Sequence, residues 1–284
     1  MKNVGCIIGG REVGILGQGT WRIGENLKNR EQEIASIRRG IQLGLTTIDT
    51  AEIYGDGASE ELIGEAIKPF DCNKLNIISK VYPFNAGRKR IFNSCDESLK
   101  RLGVDNLDLY LLHWRGNIPL EETVECMEEL IKRGKIKSWG VSNFDVDDME
   151  ELYTVRNGNK CAANQVLYHL GSRGIEYDLI PWMKERNIPL IAYCPLAQQG
   201  RLERGLLSNP VIKKISDNHN ITPMQVLLSF VLSQENLIAI PKASSIRHVE
   251  ENAAVINIKL TEEELKELNI EFPSPNRKTS LDIV

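Results

Sequence analysis

Four side chains at or just beyond the ends of short apolar runs are of types that hold or move protons: Asp49, Tyr54, Lys80 and His113. Asp49 ends the β-branched, apolar run Leu45-Thr46-Thr47-Ile48, the composition of a short buried strand, and Tyr54 follows five residues later in a loop that continues with Gly55. Lys80 stands where the run Ile77-Ile78-Ser79 stops, and His113 ends Leu107-Asp108-Leu109-Tyr110-Leu111-Leu112. Each has a plain structural alternative. Asp49 can close a turn, Lys80 can pair with Asp49 to hold strands together, Tyr54 can be packing, and His113 can be a core histidine. Four at matching strand ends favour chemistry instead. An unperturbed phenol, with a pKa of about 10, is a weak acid at neutral pH, and a neighbouring ammonium lowers that value. Such a phenol can protonate a developing alkoxide while an imidazole donates to the same oxygen. Asp49 would keep Lys80 charged and oriented. Ser79 and Cys194 have no base partner evident in the sequence, so the pattern points to carbonyl reduction, with the hydride brought by a cofactor.

The elements needed to bring these residues together are visible along the chain. After an N-terminal pair of apolar runs, Val4 to Ile8 and Val13 to Leu16, flanking the turn Gly9-Gly10-Arg11-Glu12, short apolar strands alternate with helices. Strands are expected at 46–50, 75–81, 107–113, 136–142, 162–167, 189–194 and 237–240. Helices are expected at 31–43, 59–67 with Ser59 as N-cap, 90–102, 120–133, 147–155, 179–186, 210–219, 222–234 and 246–254. A last helix opens on the capping box Thr261-Glu262-Glu263-Glu264. Runs buried on both faces and repeated about every 25 to 35 residues are the pattern of a closed parallel barrel. The expected fold is an α/β (β/α)8 TIM barrel preceded by a β-hairpin that closes its N-terminal end. Residues 1–284 are expected to form one domain, the barrel proper at about 16–256 and a C-terminal helix with an extended tail at 257–284. The active site of such a barrel lies at the C-terminal ends of its strands.

Composition narrows the partners. A formal net charge of -4 and a pI near 5.7, with no basic block, argue against nucleic acid. Six scattered cysteines without a C-x-x-C pair and four histidines without ligand spacing argue against a disulfide framework or a metal site. No signal-like or membrane-length apolar run occurs, so a cytoplasmic protein is expected, a monomer or weak oligomer acting on a small carbonyl substrate.

Several stretches resemble the motifs of the aldo-keto reductases: Gly17-Gln18-Gly19-Thr20-Trp21, Ile48 to Gly55, Leu107 to Trp114, Gly140-Val141-Ser142-Asn143-Phe144 and Ile240-Pro241-Lys242-Ala243. They are collinear from about Leu16 to Asn252. Ser79 to Pro83, Asn164 to Leu170 and Arg173 to Asp178 further resemble a bacterial branch of methylglyoxal reductases. The resemblance implies NADPH, with NADH possible, extended across the barrel mouth, and a catalytic tetrad of Asp49, Tyr54, Lys80 and His113. It implies that Gly19, Thr20 and Trp21 border the cofactor, that Ser142, Asn143 and Gln165 bond the nicotinamide carboxamide, and that Tyr193 stacks on its ring. It places Pro195, Leu196 and Gly200 along the pyrophosphate, Lys242 and Ser245 at the 2′-phosphate, and Glu251 and Asn252 at the adenine.

His248 stands where the family's usual arginine is expected, and Arg247 is one place earlier. Adjacent helical residues point about 100° apart, so Arg247 is not expected to substitute, which leaves NADH use open. Trp21, Tyr82 and Trp114, together with Tyr54 and Phe84, are candidates to wall a substrate pocket. Arg115 can attract a carboxylate or a sugar hydroxyl, or be solvated. A short loop after the fourth strand (Arg115 to Pro119) suggests an open site of broad specificity. Two rival readings are a cofactor-binding regulatory or sensor protein, as potassium-channel β subunits on this fold are, and an aldolase using Lys80 as a Schiff base. The second needs a neutral amine, which Asp49 opposes.

Overall fold

The computed structural model describes residues 5–197 and 201–284, with the side chains of 201–203 left aside. Strands β1 (Cys6–Ile8) and β2 (Arg11–Val13) form an antiparallel hairpin. The eight strands β3 (Gln18–Gly19), β4 (Thr47–Asp49), β5 (Asn76–Val81), β6 (Leu107–Leu112), β7 (Ile136–Ser142), β8 (Asn164–Leu167), β9 (Leu190–Tyr193) and β10 (Leu237–Ala239) lie parallel in chain order. Parallel bridges Leu16–Ala239 and Gly19–Lys242 join the first to the last and close the barrel. Outside it run α1 (Arg30–Gln42), α2 (Ala58–Ile67), α3 (Ile91–Leu102), α4 (Leu120–Lys132), α5 (Val146–Thr154), α6 (Leu179–Glu185), α7 (Arg201–Ser208), α8 (Pro210–His219), α9 (Pro223–Leu232), α10 (Ile246–Ala254) and α11 (Glu262–Glu271).

The structure departs locally from the sequence expectations in three places. The hairpin turns on Gly9 and Gly10 alone, both with positive φ (55° and 83°), so its second strand starts at Arg11 rather than Val13. Ser59 does not cap α2. Gly57 does, in the left-handed region, and the Ser59 hydroxyl instead donates to Thr20 and accepts from Thr50. Helix α7 was not anticipated.

Alternation along the strands divides the residues between two cores. Ile77, Val81, Tyr110, Trp139 and Val141 face the helix layer, within one large apolar cluster. Ile78, Leu109, Leu111, Ala163, Ile191, Ile238 and Ile240 fill the barrel with Cys6, Ile8 and Val13 of the hairpin. The hairpin therefore plugs the N-terminal end, as expected. Its anchor is Arg11, which donates to Asp108 Oδ1 at 2.6 Å and to the carbonyls of Asn73 and Leu75. Asp108 is 7% exposed and also takes Lys137 at 2.8 Å and the Ile77 amide at 2.9 Å. The same period of two carries the inward face upward from Ile78 to Lys80 and from Leu111 to His113, so chemistry-bearing side chains sit directly above apolar layers.

Asp108→Ala strips three donors of one acceptor group and is expected to cost about 2–3 kcal/mol, read as a lowered urea midpoint. A loss below about 0.5 kcal/mol would mean the hairpin is held by its apolar residues alone.

Candidate active site

Asp49 leaves the end of β4 and Lys80 rises from β5, and their buried charges meet at 2.6 Å (Asp49 Oδ1 to Lys80 Nζ). Lys80 is fully buried, and its ammonium spends its three donors on Asp49 Oδ1, the Thr50 carbonyl at 2.8 Å and the Tyr54 hydroxyl at 3.2 Å. Burial opposes the charge on Lys80, but Asp49 and then Tyr54 outweigh it, and the lysine pKa ends above its ordinary value. Lys80 is an ammonium at neutral pH, which removes the free amine that a Schiff base would need.

Tyr54 reaches this pair from the loop after β4. Burial is the largest influence on its phenol and pushes the pKa up; Lys80 is the largest force pulling it down, and Asp49 opposes Lys80. The net direction is upward, which corrects the sequence expectation of a lowered value. The ammonium offsets desolvation without overcoming it. His113 sits edge-on to Tyr54, ring centroids 5.6 Å apart. Burial, then Lys80, lowers its pKa to about 2, so the imidazole is neutral and donates from one nitrogen only. Its buried Nδ1 has no hydrogen-bond partner among the described residues.

Asp49, Tyr54 and His113, but not the fully buried Lys80, line a cavity of about 600 Å³ together with Gly19, Thr20, Trp21, Trp114, Ser142, Asn143, Gln165, Tyr193 and Lys242. The volume suits a cofactor's reactive end and a small substrate. Thr20 is fixed by donating to the Asp49 carbonyl. Asn143 lies in the left-handed region at φ 58°, where its side chain donates to the His113 carbonyl and to Ser142 Oγ and accepts from the Tyr193 hydroxyl at 2.8 Å. Ser142 Oγ donates to the Gln165 carbonyl, and Gln165 Nε2 donates across the barrel to Asp49 Oδ2 at 2.7 Å.

Other candidates are placed less directly. Tyr82 does not border the cavity. It meets the edge of Trp114 at 5.3 Å and stacks on the largely exposed Phe84, so it supports the pocket wall from behind. Pro195 and Leu196 follow β9 just beyond the lining, and Gly200 lies outside the described residues. Ser245 caps α10 by accepting the His248 amide, and that helix carries His248, Glu251 and Asn252. The heads of Arg247 and His248 do converge: a guanidinium nitrogen donates to His248 Nε2 at 3.0 Å.

Sequence reasoning missed the tail. Lys278 bridges Asp145 and Asp178, Ser172 donates to Asp282, and Ile283 and Val284 then border the cavity. An apolar pair ending a polar, proline-containing stretch was the only signal. Cys194, Glu25, Ile53 and Ile240 also line the cavity unforeseen. Arg115 borders it too, but its guanidinium is taken up by Glu151 and the carbonyls of Gly116 and Ile118.

Comparison with known proteins gives this arrangement a context. The chain is 54% identical over 269 residues to methylglyoxal reductase YeaE of Escherichia coli (strain K12), covering 95% of this chain and 94% of that protein. It is 33% identical to glyoxal reductase of Bacillus subtilis (strain 168), over 95% and 92% of the two chains. A crystal structure of an aldo-keto reductase from Klebsiella pneumoniae in complex with NADPH superimposes with a TM-score of 0.97 at 50% identity, over the whole of both chains. Residues 15–270, which hold the barrel and every described candidate, match the model of the Aldo/keto reductase family, and the chain belongs to that family.

Proposed function

We propose that this protein reduces small, uncharged aldehydes and ketones, methylglyoxal among them, with NADPH as the reductant. The observation that carries the reading is the buried chain carboxylate–ammonium–phenol, Asp49 to Lys80 to Tyr54, ending beside a neutral imidazole in one cavity. The relatives named methylglyoxal and glyoxal reductases and the NADPH-bound neighbour support the same substrate class and cofactor.

The residues present fit the cofactor. Ser142, Asn143 and Gln165 offer amide-bonding groups beside the Tyr193 ring in the cavity wall. Lys242, with Ser245 and the Arg247–His248 pair, would hold the 2′-phosphate, and Glu251 and Asn252 the adenine. When bound, the nicotinamide supplies the hydride.

The chain's own groups do the rest. His113, neutral, donates to the carbonyl oxygen and sets its direction. Tyr54, protonated throughout the neutral range, gives its proton to that oxygen as negative charge develops. Lys80 stabilises the resulting phenolate, and Asp49 keeps Lys80 charged and aimed. Trp21, Trp114, Ile283 and Val284 provide apolar walls. Because Arg115 is already paired, the pocket has little claim on a carboxylate, which favours neutral carbonyl compounds. A purely regulatory or sensing role would leave the proton relay without a task.

Tyr54→Phe is expected to retain NADPH binding, followed by tryptophan fluorescence, and to lose about 10²–10⁴-fold in kcat with methylglyoxal. Full turnover by this variant would remove Tyr54 as the acid. Because His113 titrates near pH 2 and Tyr54 above its ordinary value, kcat at saturating NADPH should be level from pH 6 to 8.5. A limb near the usual histidine value would show that His113 works as imidazolium. Lys242→Met should weaken NADPH by about 10- to 100-fold and leave NADH nearly unchanged, in parallel fluorescence titrations. Equal losses for both would place the 2′-phosphate elsewhere.

A further inference from the structure

The hydrogen bond from Gln165 to Asp49 joins opposite sides of the barrel. Strands β4 and β8 are four apart in a ring of eight, and the 2.7 Å contact between Gln165 Nε2 and Asp49 Oδ2 is made by side chains alone. Both residues are 2% exposed. Asp49 therefore has one donor on each oxygen, Lys80 on Oδ1 and Gln165 on Oδ2. With Lys80 alone, the carboxylate could rotate about its last bond. The second donor fixes its plane, and that plane decides where the lysine points its remaining hydrogens. All three Lys80 donors are engaged, so the direction fixed by Asp49 is passed to Tyr54.

Gln165 is itself anchored in the opposite wall. Its carbonyl accepts from Ser142 Oγ at 2.9 Å and from the Asn143 amide at 2.8 Å, the two residues adjoining it in the amide-bonding part of the cavity. One hydrogen of Nε2 is used on Asp49, which leaves the second hydrogen and Oε1 of the same group for another partner.

We propose that Gln165 is a positioning residue for the proton donor, which through Asp49 and Lys80 sets the orientation and acidity of Tyr54 and ties them to the amide-binding wall. This rests on the reductase reading for its consequence, while the contact itself is made between two side chains of the protein. Replacement by glutamate keeps the shape and makes the donor depend on a proton. Protonated, the new carboxyl can still donate to Asp49. Ionised, it faces Asp49 as a second negative charge and withdraws that donor. Its folded pKa is raised above the unfolded value by burial and by Asp49, so the stability it contributes is present at low pH and lost as pH rises through the folded value.

The test uses full-length Gln165→Glu, with Gln165→Met as a control that has nothing to ionise. Melting of the cofactor-free proteins and kcat at saturating NADPH are followed from pH 5.5 to 8.5, each as a ratio or difference to wild type. The proposal expects Gln165→Glu to lose several degrees of melting temperature across that range and its relative kcat to fall at least about tenfold, while the deficit of Gln165→Met stays constant. Melting and kcat both parallel to wild type across the range would overturn it. A melting temperature that falls with pH while relative kcat stays level would also overturn it, since Gln165 would then be merely structural. A wild type that reduces no carbonyl would refute the reductase reading separately, and the melting arm would still report on the contact with Asp49.

Discussion

Burying an ammonium inside a barrel is tolerable only if a carboxylate is buried with it, and the Asp49–Lys80 pair is the interaction on which the rest of this site depends. Removing one partner of such a pair typically costs about 3–5 kcal/mol, because the other is left charged in a poor solvent. The barrel meets this constraint by bringing two neighbouring parallel strands to the same level, where Gly19 pairs with Asp49 and Asp49 with Ile78, one inward step below Lys80. The apolar layer beneath, closed by the hairpin, excludes water from below. Above it the pair meets the cavity, where the third lysine donor reaches Tyr54.

Burial thus acts on three groups at one place. It pushes the phenol up, holding its proton through the neutral range; it pushes the imidazole down, keeping it a neutral donor; and it opposes the lysine charge, which Asp49 then restores. Three groups with different ordinary pKa values are therefore kept in complementary states by one desolvated pocket and one counter-ion.

Most of this was legible in the sequence because strand periodicity is short-range. An inward residue at 78 requires another at 80, and one at 111 requires another at 113, so the strand ends could be read without knowing the fold's details. The architecture followed from the alternation of buried strands and capped helices. What escaped depended on distance or on side-chain length. Gln165 meeting Asp49 requires knowing that their strands face one another. Arg247 reaching His248 depends on a flexible arm rather than on helix phase. The tail's return to the cavity depends on Lys278 finding two aspartates, Asp145 and Asp178, separated by more than thirty residues. Ser59 was misassigned because a serine at a helix start is read as a cap, whereas here the polar strand end at Thr20 and Thr50 claimed its hydroxyl. The rise in the Tyr54 pKa was missed for a different reason: the neighbours could be named in advance, but the depth of burial could not.

The central claim is that a charged Lys80, held by Asp49, lowers the barrier to proton donation rather than merely supporting the fold. Single-turnover oxidation of bound NADPH on mixing Lys80→Met with methylglyoxal tests this most directly, since product release does not enter. The account predicts a chemical step slowed by about 10²–10⁴-fold in a variant that still melts cooperatively and still binds NADPH. A rate within a few-fold of wild type would contradict it and reduce the buried pair to a structural role.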